Sequence, residues 1–172
     1  MIYIYIFFFK KKKEYGVNHG RVWGAFDSQS NKLKGLAILQ PPYESGISTW
    51  NLLKLGMGSA PFKFGFTASW RMYSCLQQSE KTHASVIQTP HWALYTIGVD
   101  TPFQCKGIGT ILVQAILPIV DAESLPCYLD TASERSLKFF QKFGWKIAKE
   151  EKKPSCGPKY WALLREPQNK KE

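Results

Sequence analysis

Apolar and polar residues recur with more than one period along this chain, and each change of period predicts an element. Short apolar runs at residues 21–26 and 34–40 flank the polar cluster Asp27-Ser28-Gln29-Ser30-Asn31. Two such runs about a set of turn-forming residues predict a β-hairpin. Pro41-Pro42 ends the second strand, because proline lacks the N–H that a ladder needs. Residues 43–90 mix glycine, proline and aromatic residues, and predict two helices, at residues 49–55 and 67–85. In the second of these, Trp70, Tyr73 and Leu76 or Gln77 fall at helical spacing. Core packing is the role expected of those aromatics.

From there on the punctuation is regular. Residues 92–99 form an aromatic and β-branched run, expected as a buried strand. Ile108, Ile111, Leu112, Ala115, Ile116 and Ile119 repeat at helical spacing over residues 107–120, with Pro118 closing or bending the last turn. Residues 127–131 are a further strand. Ser133 is a good helix cap, although Ser136 at the third following position leaves the capping box incomplete. Leu137, Lys138, Phe139 and Phe140 carry that helix to Gly144, its expected stop. Strands at residues 145–148 and 160–164 finish the pattern. A hairpin followed by alternating strands and helices predicts an α/β (α+β) fold with a mixed sheet. Residues 1–20 are a low-complexity opening, for which an edge strand and the tail of a helix both stay open. Residues 21–166 are expected as a single domain, and residues 167–172 as a polar tail.

Composition narrows the class. At 172 residues, 44% hydrophobic and 15% aromatic, the chain has the makings of a packed core and not of a disordered polymer. Its net charge of +10 favours polyanions, a phosphorylated coenzyme or a nucleic acid. Part of that excess sits in lysine runs at residues 10–13 and 170–171, which read as solvated tails. No nucleic-acid-binding motif accompanies it, so no nucleic-acid partner is expected. Cys75, Cys105, Cys127 and Cys156 are irregularly spaced, without a C-x-x-C pair or metal-ligand spacing, so reduced thiols and no metal are expected. The apolar run at residues 2–9 falls far short of the ~20 residues of a membrane helix. Its lysines follow the apolar stretch, the reverse of a secretory signal. A cytoplasmic protein with no membrane association is the expectation.

The sharpest local chemistry is Gln104-Cys105-Lys106-Gly107-Ile108-Gly109-Thr110, between a strand and a helix. A helix start presents N–H groups without acceptors and a partial positive charge. Glycines let a pyrophosphate approach that backbone closely, and Lys106 adds a cation. Alone, G-x-G is equally a tight strand-to-helix turn. The surrounding pattern decides. Gln104-x-x-Gly107-x-Gly109 resembles the Q/R-x-x-G-x-G/A motif of the GNAT family of N-acetyltransferases. Leu94-Tyr95-Thr96-Ile97-Gly98-Val99-Asp100 resembles that family's fourth strand. Residues 133–145, from Ser133 to Trp145, resemble its N-x-x-A-x-x-F-Y-E-K-x-G-F helix.

This resemblance implies a GNAT-like mixed, mostly antiparallel sheet flanked by helices. It also implies acetyl-CoA as acyl donor, with direct transfer to an amine of a small molecule or peptide. Backbone groups of Ile97, Gly98 and Val99 would pair with the pantetheine arm. Gln104, Cys105, Lys106, Gly107, Ile108, Gly109 and Thr110 would hold the pyrophosphate, and Ser133 would reach the pantetheine through its hydroxyl. Two departures stand out. Phe140 occupies the place of the family's usual acidic Tyr, and Ala93 that of its carboxylate base. Strand alternation sets His91 and Tyr95 on the same face as Ala93. Histidine is the side-chain type suited to a base at neutral pH, so His91 is the first candidate base, and Tyr95 the candidate proton donor. Tyr128 and Asp130 come after them. Asp130 reads more readily as a turn or cap residue, and His83 as a helix-surface residue. The family's opening strand and two helices need more than the twenty residues before Arg21, so an incomplete N-terminal region is expected, with an apolar edge favouring a homodimer. An acyl-CoA-binding module of the same fold, with weak or no catalysis, stays open beside the enzyme.

Overall fold

The computed structural model describes residues 2–7, 21–43, 61–62, 65–152 and 159–168. The helix expected at residues 49–55 lies outside them. The chain divides into two compact units: residues 1–44, 90–127 and 166–172 form the first, and residues 45–89 and 128–165 the second.

In the first unit, β1 (Ile2–Phe7), β2 (Arg21–Asp27), β3 (Leu33–Gln40) and β4 (Trp92–Val99) are neighbours in that order, each antiparallel to the next. The opening residues therefore supply an edge strand. The β2–β3 turn is built by Asp27. Its carboxylate accepts from the N–H of Gln29 at 2.8 Å, while its carbonyl accepts from Asn31 at 2.9 Å. Asn31 turns the chain with a left-handed φ of 51°, a conformation that asparagine tolerates. Along β3, Gly35, Ala37 and Leu39 are buried and their neighbours are not, the period of two that a half-covered strand shows.

What covers that face is α2 (Ile108–Ala122), through Ile108, Leu112, Val113, Ile116 and Val120. Small residues on β3 let it lie close. A Cβ at Gly35 would meet the Gly98 carbonyl oxygen at 2.9 Å and the side chains of Ile108 and Leu112 at 3.2 and 3.3 Å. The helix runs one turn past Pro118. The proline removes one donor, which leaves the carbonyl of the exposed Gln114 without its helical partner.

In the second unit, α1 (Phe66–Val86) packs on β6 (Lys146–Lys152) and β7 (Lys159–Arg165), which pair antiparallel, and β5 (Cys127–Thr131) neighbours β7. The end of α1 is fastened by polar contacts: the Thr82 and Tyr160 hydroxyls lie 2.5 Å apart and the Lys149 ammonium donates to Ser85 at 3.1 Å. Its beginning is different. Trp70 is 69% exposed and Tyr73 is exposed beside it, so the aromatic stripe is not core. Helical spacing identifies residues that share a face and is silent on what that face meets.

α3 (Glu134–Gln141) starts at Ser133, whose hydroxyl accepts from the Ser136 N–H at 3.3 Å. Phe140 is buried, edge-on to Phe139 and to Trp145. Gly144, with φ 92°, reverses the chain after the helix. The buried Arg165 then closes the corner: its Nε donates to the Phe143 carbonyl at 2.9 Å, and its guanidinium lies 5.7 Å from the Trp145 ring. Among the described residues, no helix is long and apolar enough to cross a membrane.

Candidate functional site

The end of β4 and the start of α2 belong to the first unit, and together they make a short polar structure. A single 3-10 turn (Thr101–Phe103) follows β4. Cys105 then takes φ 58° and Gly107 φ 81°, two left-handed residues on either side of Lys106. Alternation into the left-handed region curls successive N–H groups toward one side, the geometry of an anion nest. The helical ladder opens with the Ile111 N–H to the Gly107 carbonyl at 3.0 Å. The N–H groups of Ile108, Gly109 and Thr110 precede it and have no intrahelical acceptor. No side chain caps the helix at Gly107. A Cβ on Gly107 would meet nothing within 4 Å. An uncapped helix origin, a cation and free space above the glycine fit a coenzyme diphosphate.

Gln104 has a positioning part in this turn. Its side-chain amide donates to the Val99 carbonyl at 3.0 Å, tying the turn back to the end of β4. It acts on the turn's position through this bond. Sequence reasoning placed Gln104 among the phosphate-holding residues because it heads the motif; the span from its amide to Val99 emerges only once the 3-10 turn folds the chain back.

β4 itself is ordered by β3. The Asp100 N–H donates to the Lys34 carbonyl at 2.9 Å. In an antiparallel ladder successive N–H groups alternate sides, so Gly98 faces β3 as Asp100 does, and the N–H groups of Ile97 and Val99 leave from the other edge. A Cβ at Gly98 would meet nothing within 4 Å.

Further up the strand, simple alternation fails. Ile38 pairs with Thr96 but Leu39 with Leu94, which leaves Tyr95 as the extra residue of a β-bulge. Ala93 is 7% exposed while Tyr95 is 37% exposed. The two therefore do not share one face in the way strict parity predicts, because a bulge shifts the count by one. His91 is half-buried just before β4, where the following Trp92 N–H donates to the Pro126 carbonyl at 2.9 Å. About 13 Å of extended chain separates His91 from Tyr95.

The second unit holds a separate polar group. Asp130 is a strand residue that accepts from the Ser79 hydroxyl, and not a turn or cap residue. His83 is half-buried and stacked on the buried Tyr128, with ring centroids 4.0 Å apart, and so is not a helix-surface residue. Partial burial, and then the Asp130 charge, hold the Glu80 carboxyl above its ordinary range. Sequence alone missed this grouping, since α1 and β5 are far apart along the chain. Ser133 spends its acceptor on the α3 cap, and its own N–H donates to Thr131 Oγ1 at 3.2 Å. The buried Phe140 has no proton to transfer.

Comparison with known proteins gives these features a class. The profile of the acetyltransferase (GNAT) family matches residues 8–145, most of the sequence, and the chain belongs to that family. Its fold resembles a Corynebacterium glutamicum protein described as histone acetyltransferase HPA2 and related acetyltransferase. The two are 19% identical with a TM-score of 0.58, over 90% of this chain and 68% of that one. It also resembles a ribosomal-protein-alanine N-acetyltransferase from Escherichia coli, at 10% identity and TM-score 0.52 over 90% and 74% of the two chains. A third similar structure is the NatC complex bound to Gag peptide and CoA, at 11% identity and TM-score 0.54 over 86% and 71%. At such identities the likeness is one of fold. Membership in the family supports acyl transfer as the general activity.

Proposed function

We propose that this chain is an acetyl-CoA-dependent N-acyltransferase that passes an acetyl group directly to the amine of a small molecule or peptide. The observation that carries the reading is the uncapped origin of α2 beneath Cys105, Lys106 and Gly107, with open space above the glycine. Bound acetyl-CoA supplies an activated thioester. The chain's own residues do the rest. Amides of Gly107, Ile108, Gly109 and Thr110 hold the diphosphate, with Lys106 beside them and Gln104 fixing the turn. The outward N–H groups of Ile97 and Val99, and the bare backbone at Gly98, receive the pantetheine arm. Tyr95, exposed at the bulge, returns a proton to the departing thiolate, and His91, farther back along the chain, takes the amine's proton through intervening water. The presence of CoA in the NatC structure supports the choice of donor by analogy.

A second reading keeps the coenzyme and drops the chemistry: an acyl-CoA-binding module. The protonless Phe140 and the buried Ala93 favour it. The two separate in one experiment. Acetyl transfer from acetyl-CoA is assayed over a panel of amines, alongside calorimetry with CoA. Turnover that falls at least tenfold in His91→Ala, with CoA affinity unchanged, supports the enzyme. Saturable CoA binding without turnover over the whole panel supports the module. Absence of CoA binding removes both.

A further inference from the structure

We propose that Lys32, Lys34 and Lys106, gathered about the ring of Phe103, form a second anion subsite that takes the 3′-phosphate on the ribose of coenzyme A. The inference rests on the coenzyme reading above and assigns it a specificity-determining element. The three ammonium groups lie 6.0, 4.7 and 5.7 Å from the Phe103 centroid. They come from two separate segments, Lys32 and Lys34 from the β2–β3 hairpin and Lys106 from the diphosphate turn, and fold brings them to one ring.

The balance of charge within this group is unfinished. Asp27 pairs with Lys34. Three ammonium groups and the one paired carboxylate leave an excess of two positive charges. An aromatic ring attracts a cation through its quadrupole but carries no net charge of its own. The ring therefore gathers the lysines without neutralising them. The complement that such a site lacks is a compact group of about two negative charges, which is what a phosphate monoester carries near neutral pH.

Position selects which phosphate. Lys106 lies within the turn that cradles the diphosphate, so the subsite adjoins the cradle on its β3 side. In coenzyme A the 3′-monoester and the diphosphate are borne by the same ribose. A ligand with a diphosphate alone would satisfy the turn and leave Lys32 and Lys34 with no phosphate to hold. Lysine suits the task, as a point charge on a flexible stem that follows a phosphate without a fixed fork geometry.

The test is calorimetry of the full chain with CoA and with 3′-dephospho-CoA, for the parent, Lys32→Ala and the Lys32→Ala/Lys34→Ala double variant. Lys32 is exposed and outside the Asp27 pair, so its single variant guards against any loss of folding in the double one. Two exposed ion pairs together correspond to roughly a tenfold preference of the parent for CoA at low salt. We expect that preference to fall about threefold in Lys32→Ala and to vanish in the double variant, with the affinity for dephospho-CoA unchanged throughout. Raising the salt should shrink it in the parent as well. Equal affinity of the parent for the two nucleotides, or an undiminished preference in both variants, overturns the subsite and leaves the coenzyme reading standing. Failure of both nucleotides to bind the parent overturns the two together.

Discussion

A left-handed backbone at position 107 asks for glycine. With φ 81° and nothing within 4 Å of the place a Cβ would take, an alanine there meets no crowding, only conformational strain. Gly107→Ala should therefore lower unfolding free energy by about 1 kcal/mol in a urea titration, and weaken CoA binding in calorimetry because the turn relaxes. A loss several times larger would mean that the space above Gly107 is not free. Asp27 gives a prediction in pH. Its bond with Lys34, then the Gln29 N–H, lower its carboxyl from 3.8 to about 2. A depressed carboxyl stabilises the fold fully above its unfolded value. That contribution disappears as pH falls through about 2. Acid unfolding of Asp27→Asn should accordingly show a shallower fall in stability between pH 4 and 2 than the parent (about one proton less taken up). Both residues were visible in the sequence, Gly107 in its motif and Asp27 at the head of a turn. The latch from Gln104 to Val99 was not, because a side chain's reach is decided by where the backbone returns, not by its order.

Among elements, the seating of α2 on β3 and β4 sets where the turn at residues 104–107 lies. Gly35 permits that seating, since its Cβ would approach the Gly98 oxygen to 2.9 Å. A backbone atom cannot step aside as a side-chain tip can. Gly35→Ala should cost about 1–3 kcal/mol by thermal or chemical unfolding, and should loosen CoA binding by displacing the first turn of α2. A variant as stable as the parent would refute the close approach. In the second unit, Arg165 is 2% exposed and holds the Phe143 carbonyl at the end of α3. Truncating it to alanine strands that carbonyl and removes packing from Trp145, a loss of about 2–4 kcal/mol in urea unfolding. Lysine at this position should rescue little, as it lacks the planar fork. The existence and order of these elements were legible from apolar spacing. Two things were not. The bulge at Tyr95 adds a residue that alternation cannot announce, and the pairing of Ser79 with Asp130 joins segments that no local pattern links.

For the molecule as a whole, charge is the first consideration. A net charge of +10 places every lysine in a field that opposes compaction. Added salt screens that repulsion over about 10 Å at 0.1 M. The thermal midpoint near pH 7 should thus rise by about 2 °C on going from low to moderate salt, in differential scanning calorimetry. A falling midpoint would show that attractive pairs such as Asp27–Lys34 outweigh the general repulsion. The second consideration is the interleaving of the two units, each assembled from separated stretches of chain. During synthesis, the hairpin of β2 and β3 leaves the ribosome well before α2 exists, and Ala37 and Leu39 have as yet no lid. The nascent chain must carry that bare apolar strip through the making of residues 41–107. A strip left uncovered for that long is a place where the emerging chain can pair wrongly or aggregate before its cover arrives.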